Sequence, residues 1–233
     1  MQRPPSCRPP SNATRPSKRF AVPSRAVRGI EQIPWVYDAF CALSDWRGLR
    51  RWREWLARGA TGRTLELGCG TGRNLRFFRD QTRTVGLDPS PEALRRARKR
   101  APRTPLVIGS AQALPFRDGA FDTVVSSLVF CSVPDPPSAL REVRRVLRPG
   151  GQLRMVEHVR ARSAFGARLQ DLYQPLWTRV TGGCHPNRDT EAAVESAGFA
   201  IEDQGRRARG TMRRFQAVPN YTPTFMDGTY ARK

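Results

Sequence analysis

Leu65-Glu66-Leu67-Gly68-Cys69-Gly70-Thr71-Gly72 decides the fold of this chain. A short apolar strand runs straight into a glycine-rich turn, and Val85-Gly86-Leu87-Asp88 follows as a second strand closed by an acid. Glycines let a backbone bend sharply and approach a ligand with no Cβ in between. A helix opening near Arg73 would present its unpaired N–H groups to the same ligand. Asp88, 22 residues after Glu66, stands where a nucleotide-binding α/β sheet offers an acceptor to ribose hydroxyls. The turn is not the dinucleotide one, because it reads Gly68-x-Gly70-x-Gly72 with Arg73 and Asn74 beyond it, one residue shorter than G-x-G-x-x-G. Glu66 also sets a carboxylate in its approach, which opposes a pyrophosphate and suits a ligand carrying ammonium and sulfonium charges.

Outward from the turn, strand and helix alternate. Strands are predicted at 63–67, 84–87, 106–108, 121–126 and 152–157, helices at 73–80, 91–101, 139–147 and 189–197, and a helical insertion at 164–180. Two last strands, 199–202 and 215–218, close the pattern. This order predicts one α/β domain: a mostly parallel seven-stranded sheet with an antiparallel C-terminal edge pair and helices on both faces. Ser90-Pro91-Glu92 reads as an N-cap, a first helical proline and an acid at the positive helix end. Leu140, Val143, Val146 and Leu147 form one helical stripe that stops at Pro149-Gly150-Gly151. Ligands of such sheets bind beyond the carboxyl ends of the strands, so Ile108 to Phe116 and Ser126 to Phe130 should also line the cleft.

The turn together with Glu66 and Asp88 resembles motif I of the class I S-adenosylmethionine-dependent methyltransferases, which have a single Rossmann-like domain. The resemblance implies S-adenosyl-L-methionine as cofactor, with Glu66 near its methionine end and Asp88 on the ribose. It implies a wider cofactor-binding set of Leu67, Gly68, Cys69, Gly70, Asn74, Pro89, Ser110, Ala111, Ser127 and Leu128. Ser110 and the Ala111 N–H would meet the adenine, and Ser127 and Leu128 the methionine arm. Related enzymes usually carry Asp where this chain has Ser110, so a neutral hydroxyl replaces a carboxylate there.

A closer resemblance runs through Ser127-Leu128-Val129-Phe130-Cys131-Ser132-Val133, Leu140 to Gly151, Glu157-His158-Val159, Pro175-Leu176-Trp177, Gly183-Cys184, Arg188-Asp189-Thr190 and Ala197-Gly198-Phe199. It is similar to the methyltransferase-like 7 family of thiol S-methyltransferases, within the ubiquinone-biosynthesis-type group. That resemblance implies a thiol as the first acceptor, with a phospholipid or quinone-type acceptor next; the basic charge adds RNA as a further alternative behind them. Methyl transfer from a sulfonium is a one-step displacement that needs alignment, exclusion of water and a deprotonated acceptor. His158, at the end of a central strand beside Glu157, is the best-placed base. The null alternative is that it only shapes the substrate channel. Cys131 and Cys184 read as buried packing residues, since the displacement needs no covalent intermediate.

Composition sets the outer limits. The 233 residues suit one domain, read as 31–218, with a disordered Pro/Arg-rich tail at 1–30 and a C-terminal extension at 219–233. The tail holds seven Lys or Arg, six Pro, four Ser and no acid, too little apolar surface to fold. The net charge of +21 favours phosphates or an anionic membrane surface, or simply a solvated arginine-rich face. Exocyclic base methylation usually needs Asn/Asp-Pro-Pro-aromatic directly after the fourth strand. Here that position reads Ser126-Ser127-Leu128-Val129, and Asp135-Pro136-Pro137-Ser138 comes too late, so nucleic acid is disfavoured. Five cysteines without C-x-x-C spacing, and an isolated Cys184-His185 pair, predict no metal site. A small-molecule or lipid acceptor, a monomer or dimer, and a cytoplasmic location with peripheral membrane contact complete the expectation. The aromatics of 34–57 are expected to pack, and the insertion, with Phe165, Leu169, Leu172, Tyr173, Leu176 and Trp177, to cap the acceptor pocket.

Overall fold

The computed structural model describes residues 29, 33, 35, 38, 39, 42 and 45–220, apart from the side chain of Arg47. Most of the tail at 1–30, the 221–233 part of the extension, and Tyr37 and Phe40 lie outside the described residues. Seven strands form one sheet: β1 (Arg63–Leu67), β2 (Arg83–Asp88), β3 (Leu106–Ile108), β4 (Phe121–Ser127), β5 (Leu147–His158), β6 (Phe199–Arg209) and β7 (Met212–Pro219). Their order is β3-β2-β1-β4-β5-β7-β6. The first five pair in parallel, and β7 runs antiparallel to both β5 and β6. The doubly wound sheet with an antiparallel C-terminal pair is therefore as expected. The order reverses between β1 and β4, and that switch point places a ligand crevice beyond their carboxyl ends.

Five α-helices accompany the sheet among the described residues: α1 (Arg50–Arg58), α2 (Pro91–Arg100), α3 (Pro136–Val146), α4 (Ala164–Thr181) and α5 (Thr190–Ser196). The main core lies under α3, where Leu140, Val143 and Val146 meet Leu65, Val124, Leu153 and Phe215, all fully or almost fully buried. A second cluster packs Leu56, Trp52 and Trp55 of α1 on Val125 and Val156 of the other sheet face. Arg154 fastens α1 there. It is buried, donates to the carbonyls of Leu56 (3.1 Å) and Trp55 (2.9 Å), and stacks on the Trp55 ring at 4.1 Å. Of the N-terminal aromatics, Trp52 and Trp55 pack, whereas Trp35 and Trp46 stand exposed.

Several boundaries depart from the sequence reading, each for a local reason. The helix expected at 73–80 is a single 3-10 turn, Leu75–Phe77, because Arg73 and Asn74 are drawn sideways into ion pairs and hydrogen bonds and Phe78 is already extended. Helix α3 starts at Pro136 rather than Ala139. Asp135 caps it by accepting from the Ser138 N–H, and two prolines occupy the positions where a missing N–H costs nothing. It ends at Val146, and Pro149-Gly150-Gly151 sits inside β5 at a register shift against β4, with Gly150 at φ +74°. Strands β6 and β7 are longer than predicted and join at Gly210-Thr211. Asp203 to Arg209 is a polar edge with no apolar alternation to reveal it.

Candidate active site

The three turn glycines all have positive φ, +61° at Gly68, +53° at Gly70 and +79° at Gly72, a region that side chains rarely enter. The turn is fastened to β2. The Cys69 N–H donates to the Leu87 carbonyl (2.9 Å), and the Gly70 N–H donates to Asp88 Oδ2 (2.8 Å). The Ser90 N–H donates to Asp88 Oδ1 (2.8 Å), so Asp88 is held by both its oxygens at the mouth of the crevice, and burial raises its pKa. A Cβ on Gly68 would stand 2.5 Å from Val129, in the loop after β4, whereas a Cβ on Gly70 would meet nothing within 4 Å. Gly68 thus serves packing and Gly70 keeps an approach open. Across the crevice Leu128 has φ +59°, the single positive value among described non-glycine residues. Such strain concentrates at functional sites.

Beneath the turn lies a buried polar chain. Arg53 of α1 donates to Asp45 (2.9 Å), Asn74 (2.8 Å) and Ser127 (3.4 Å), and Asn74 in turn donates to Glu66 Oε1 (2.8 Å). Glu66 is buried, its Oε2 has no partner, and burial pushes its pKa up to about 8 against the opposing pull of Asn74 and Arg53. An unpaired acceptor beside an open glycine turn suits a cationic group on the ligand. Asn74 is committed on both sides, to Arg53 and Glu66, so it acts on the crevice through Glu66. Arg53 was missed by sequence reasoning. Its signal was its position: it shares a helical face with Leu49, Trp52 and Leu56, where a solvated arginine does not belong.

The cofactor residues expected from sequence gather as follows. Glu66, Leu67, Gly68, Cys69 and Gly70 stand at the end of β1, Asp88 and Pro89 at the end of β2, and Ser127 and Leu128 at the end of β4. Ser110 and Ala111 follow β3 next to β2. Ser110 is exposed, with its Oγ accepting from the Gln112 N–H (3.2 Å).

A second constellation was not legible in the sequence. Beyond β4 and β5, Cys131, His158 and Cys184 bring one ligand atom each to within 4.8 Å of the others. Cys131 and Cys184 are buried, as expected, but against each other and a histidine rather than in an apolar core. The histidine is not the adjacent one, since His185 Nδ1 pairs with the Gly183 carbonyl (2.7 Å). Hydrogen bonding to Cys131 lowers the Cys184 pKa first, with His158 and Trp177 acting in the same direction. Glu157 shapes the loop from behind, with Oε1 accepting from Ser126 Oγ (2.9 Å) and from the N–H groups of Val129 (3.0 Å) and Phe130 (3.3 Å). Burial raises its pKa to about 7. The lid expected from 164–180 is corrected. Helix α4 forms, but Phe165, Leu172 and Leu176 are about 70–80% exposed and Leu169 half exposed, so they face outward, and Tyr173 is only partly covered.

Residues 65–155 match a family described as "Methyltransferase domain". The chain is 37% identical to the human thiol S-methyltransferase TMT1B over 152 residues, 61% of this chain and 62% of that protein. It therefore spans about three-fifths of the thiol S-methyltransferase it matches. An uncharacterised methyltransferase of Synechocystis is 32% identical over 201 residues, covering 82% of this chain and 94% of its own. A Haloferax volcanii methyltransferase solved in complex with the Trm112 activator shares the fold, with a TM-score of 0.61 at 21% identity over 79% of this chain and 96% of that one. No helix among the described residues is long and apolar enough to cross a membrane. The sheet order, the glycine turn with its terminal Asp88, and a methyltransferase relative aligned along nearly its whole length place the chain in the class I S-adenosylmethionine-dependent methyltransferases.

Proposed function

We propose that this methyltransferase acts on a small thiol, forming a thioether. One observation carries the reading: two thiol groups and an imidazole, the set that favours a thiolate, converge beyond the carboxyl ends of β4 and β5, on the side of the sheet where the switch point places a ligand crevice. The likeness to a human thiol S-methyltransferase supports it.

When bound, S-adenosylmethionine supplies an electrophilic methyl on a sulfonium. Glu66 would face its ammonium, the Gly68 to Gly70 backbone would lie along it, Asp88 would accept from the ribose, Ser110 and Ala111 would flank the adenine, and Ser127 and Leu128 would hold the methionine arm. The acceptor sulfur forms the new S–CH3 bond as the sulfonium S–CH3 bond breaks, S-adenosylhomocysteine leaves, and the acceptor proton passes to solvent. A thiol at a reference pKa near 8.5 is only a few per cent ionised at neutral pH, so a group that favours the thiolate raises the rate directly. His158 is that group.

S-adenosylhomocysteine release should be measured with alkyl and aryl thiols, phospholipid vesicles, a quinol and total RNA as acceptors. Thiols should give the fastest turnover, and His158→Ala should lower it at least about tenfold with cofactor affinity near that of the wild type. Turnover confined to lipid, quinol or RNA would overturn the thiol reading.

A further inference from the structure

We infer that Cys131, His158 and Cys184 form a binding site for a zinc-class divalent cation, with a fourth position left for a ligand from outside. The three come from different parts of the fold: the loop after β4, the last residue of β5 and the loop after α4. Twenty-seven and twenty-six residues separate them in sequence, so local spacing could not show the set. Their ligand atoms lie within 4.8 Å of one another, while the corners of a tetrahedral zinc site stand roughly 3.5–3.8 Å apart.

The surroundings are built as a ligand shell. Both cysteines are 1% exposed. The two cysteine loops are tied together by the His185 N–H donating to the Cys131 carbonyl (2.7 Å). Arg188 straps the first loop by donating to the carbonyls of Phe130 (2.7 Å) and Val133 (2.6 Å). Thr178 Oγ1 donates to the Cys184 carbonyl (2.8 Å), and the Cys184 N–H donates to Thr181 Oγ1 (3.2 Å). His158 Nδ1 is buried without a nitrogen or oxygen partner, and the Trp177 indole N–H lies against Cys184, where it favours the thiolate that a cation needs. Charge also balances. Two thiolates and a dication sum to zero, and the Arg188 guanidinium lies close enough to both cysteines to act on them.

Ligand chemistry selects the cation. Two sulfurs and an imidazole disfavour magnesium and calcium and favour zinc, and three protein ligands are the pattern of sites that keep a position open. If the proposed function holds, the acceptor sulfur takes that fourth position. The cation then lowers its pKa, its proton leaves to solvent, and His158 acts as a ligand rather than as the proton acceptor. The cation site itself does not depend on which acceptor is used.

The test uses the full chain, without a histidine tag, purified under reducing conditions, loaded with zinc and freed of excess by gel filtration. About one zinc per chain is expected by elemental analysis. Cobalt in its place should show thiolate-to-metal charge-transfer bands and the strong visible bands of a tetrahedral ion. Cys131→Ser, Cys184→Ser and His158→Ala should each lower metal affinity by tenfold or more while binding S-adenosylmethionine within about twofold of wild type, which shows that the fold is intact. If a variant does not fold, the thermal midpoint of the wild type decides instead: zinc should raise it and magnesium should not, since a cation that binds the folded chain stabilises it. A wild type that retains no zinc, an octahedral cobalt spectrum, or a midpoint that zinc does not raise would overturn the site. Unchanged thiol turnover by metal-free protein refutes the placing of the acceptor at the fourth position and leaves both the cation site and the thiol reading standing. A tetrahedral cobalt site without thiol turnover refutes the thiol reading and leaves the cation site standing.

Discussion

Glu66→Gln separates the two roles assigned to Glu66. In the ligand-free protein the carboxyl is buried, one oxygen accepts from Asn74 and the other has no partner. Burial pushes its pKa up from the ordinary carboxylate range to about 8. A carboxyl with a raised folded pKa binds its proton more tightly when folded, so stability is highest below the unfolded value and is lost as pH rises towards 8. At pH 7 the unfolded chain gains about 3 kcal/mol from ionising this group while the folded chain gains almost nothing, so glutamine, which cannot ionise, should stabilise the free enzyme by up to about 3 kcal/mol. The advantage should vanish near pH 4.5. Binding of a cationic ligand turns the same term around. Glu66 must ionise to meet an ammonium, so cofactor binding at pH 7 should release about 0.9 proton. Urea unfolding of both proteins from pH 4.5 to 8 measures the first effect. Calorimetry in buffers of different ionisation enthalpy measures the second. A stability gap that does not change with pH, or equal proton release by wild type and Glu66→Gln, would refute this account of Glu66.

Four further outcomes follow from the same geometry. Gly70→Ala should cost only about 1 kcal/mol, since its Cβ meets nothing, yet abolish measurable cofactor binding by filling the approach. Gly68→Ala, driven into Val129, should lose stability as well, and thermal melts with calorimetry distinguish the two. Arg53→Met leaves Asn74 Oδ1 without its donor and Asp45 with Arg73 alone, and should destabilise by about 1–3 kcal/mol in urea. Glu157→Ala removes the acceptor for two backbone N–H groups before Cys131 and should loosen that loop, seen as faster amide exchange at Val129 and Phe130.

Much of the fold was legible because its signals are local. An apolar run into Gly68-x-Gly70, Ser90 before Pro91, and the Leu140 stripe each announce an element within a few residues, and alternation sets the sheet order. The failures lie where distant partners override local preference. Arg73 and Asn74 have ordinary helical propensity, but Asp45 and Glu66 hold them out of a helix. The glycine turn and its tie to Asp88 were legible for the same reason as the fold, since a turn and a strand end lie in one short stretch. The Cys131, His158 and Cys184 cluster was not, because three residues from three loops meet only once β4, β5 and α4 are assembled. Arg53 lay between these cases, visible as a charge on an apolar face but with no local clue to its partners.

Incubation with S-adenosylmethionine carrying a deuterated methyl and a simple alkyl thiol, read by mass spectrometry, tests the central claim most directly. A thioether bearing the intact deuterated methyl, formed by the wild type and strongly reduced in His158→Ala, is the predicted result. A labelled lipid amine, quinol ether or RNA in place of any labelled thioether would contradict it.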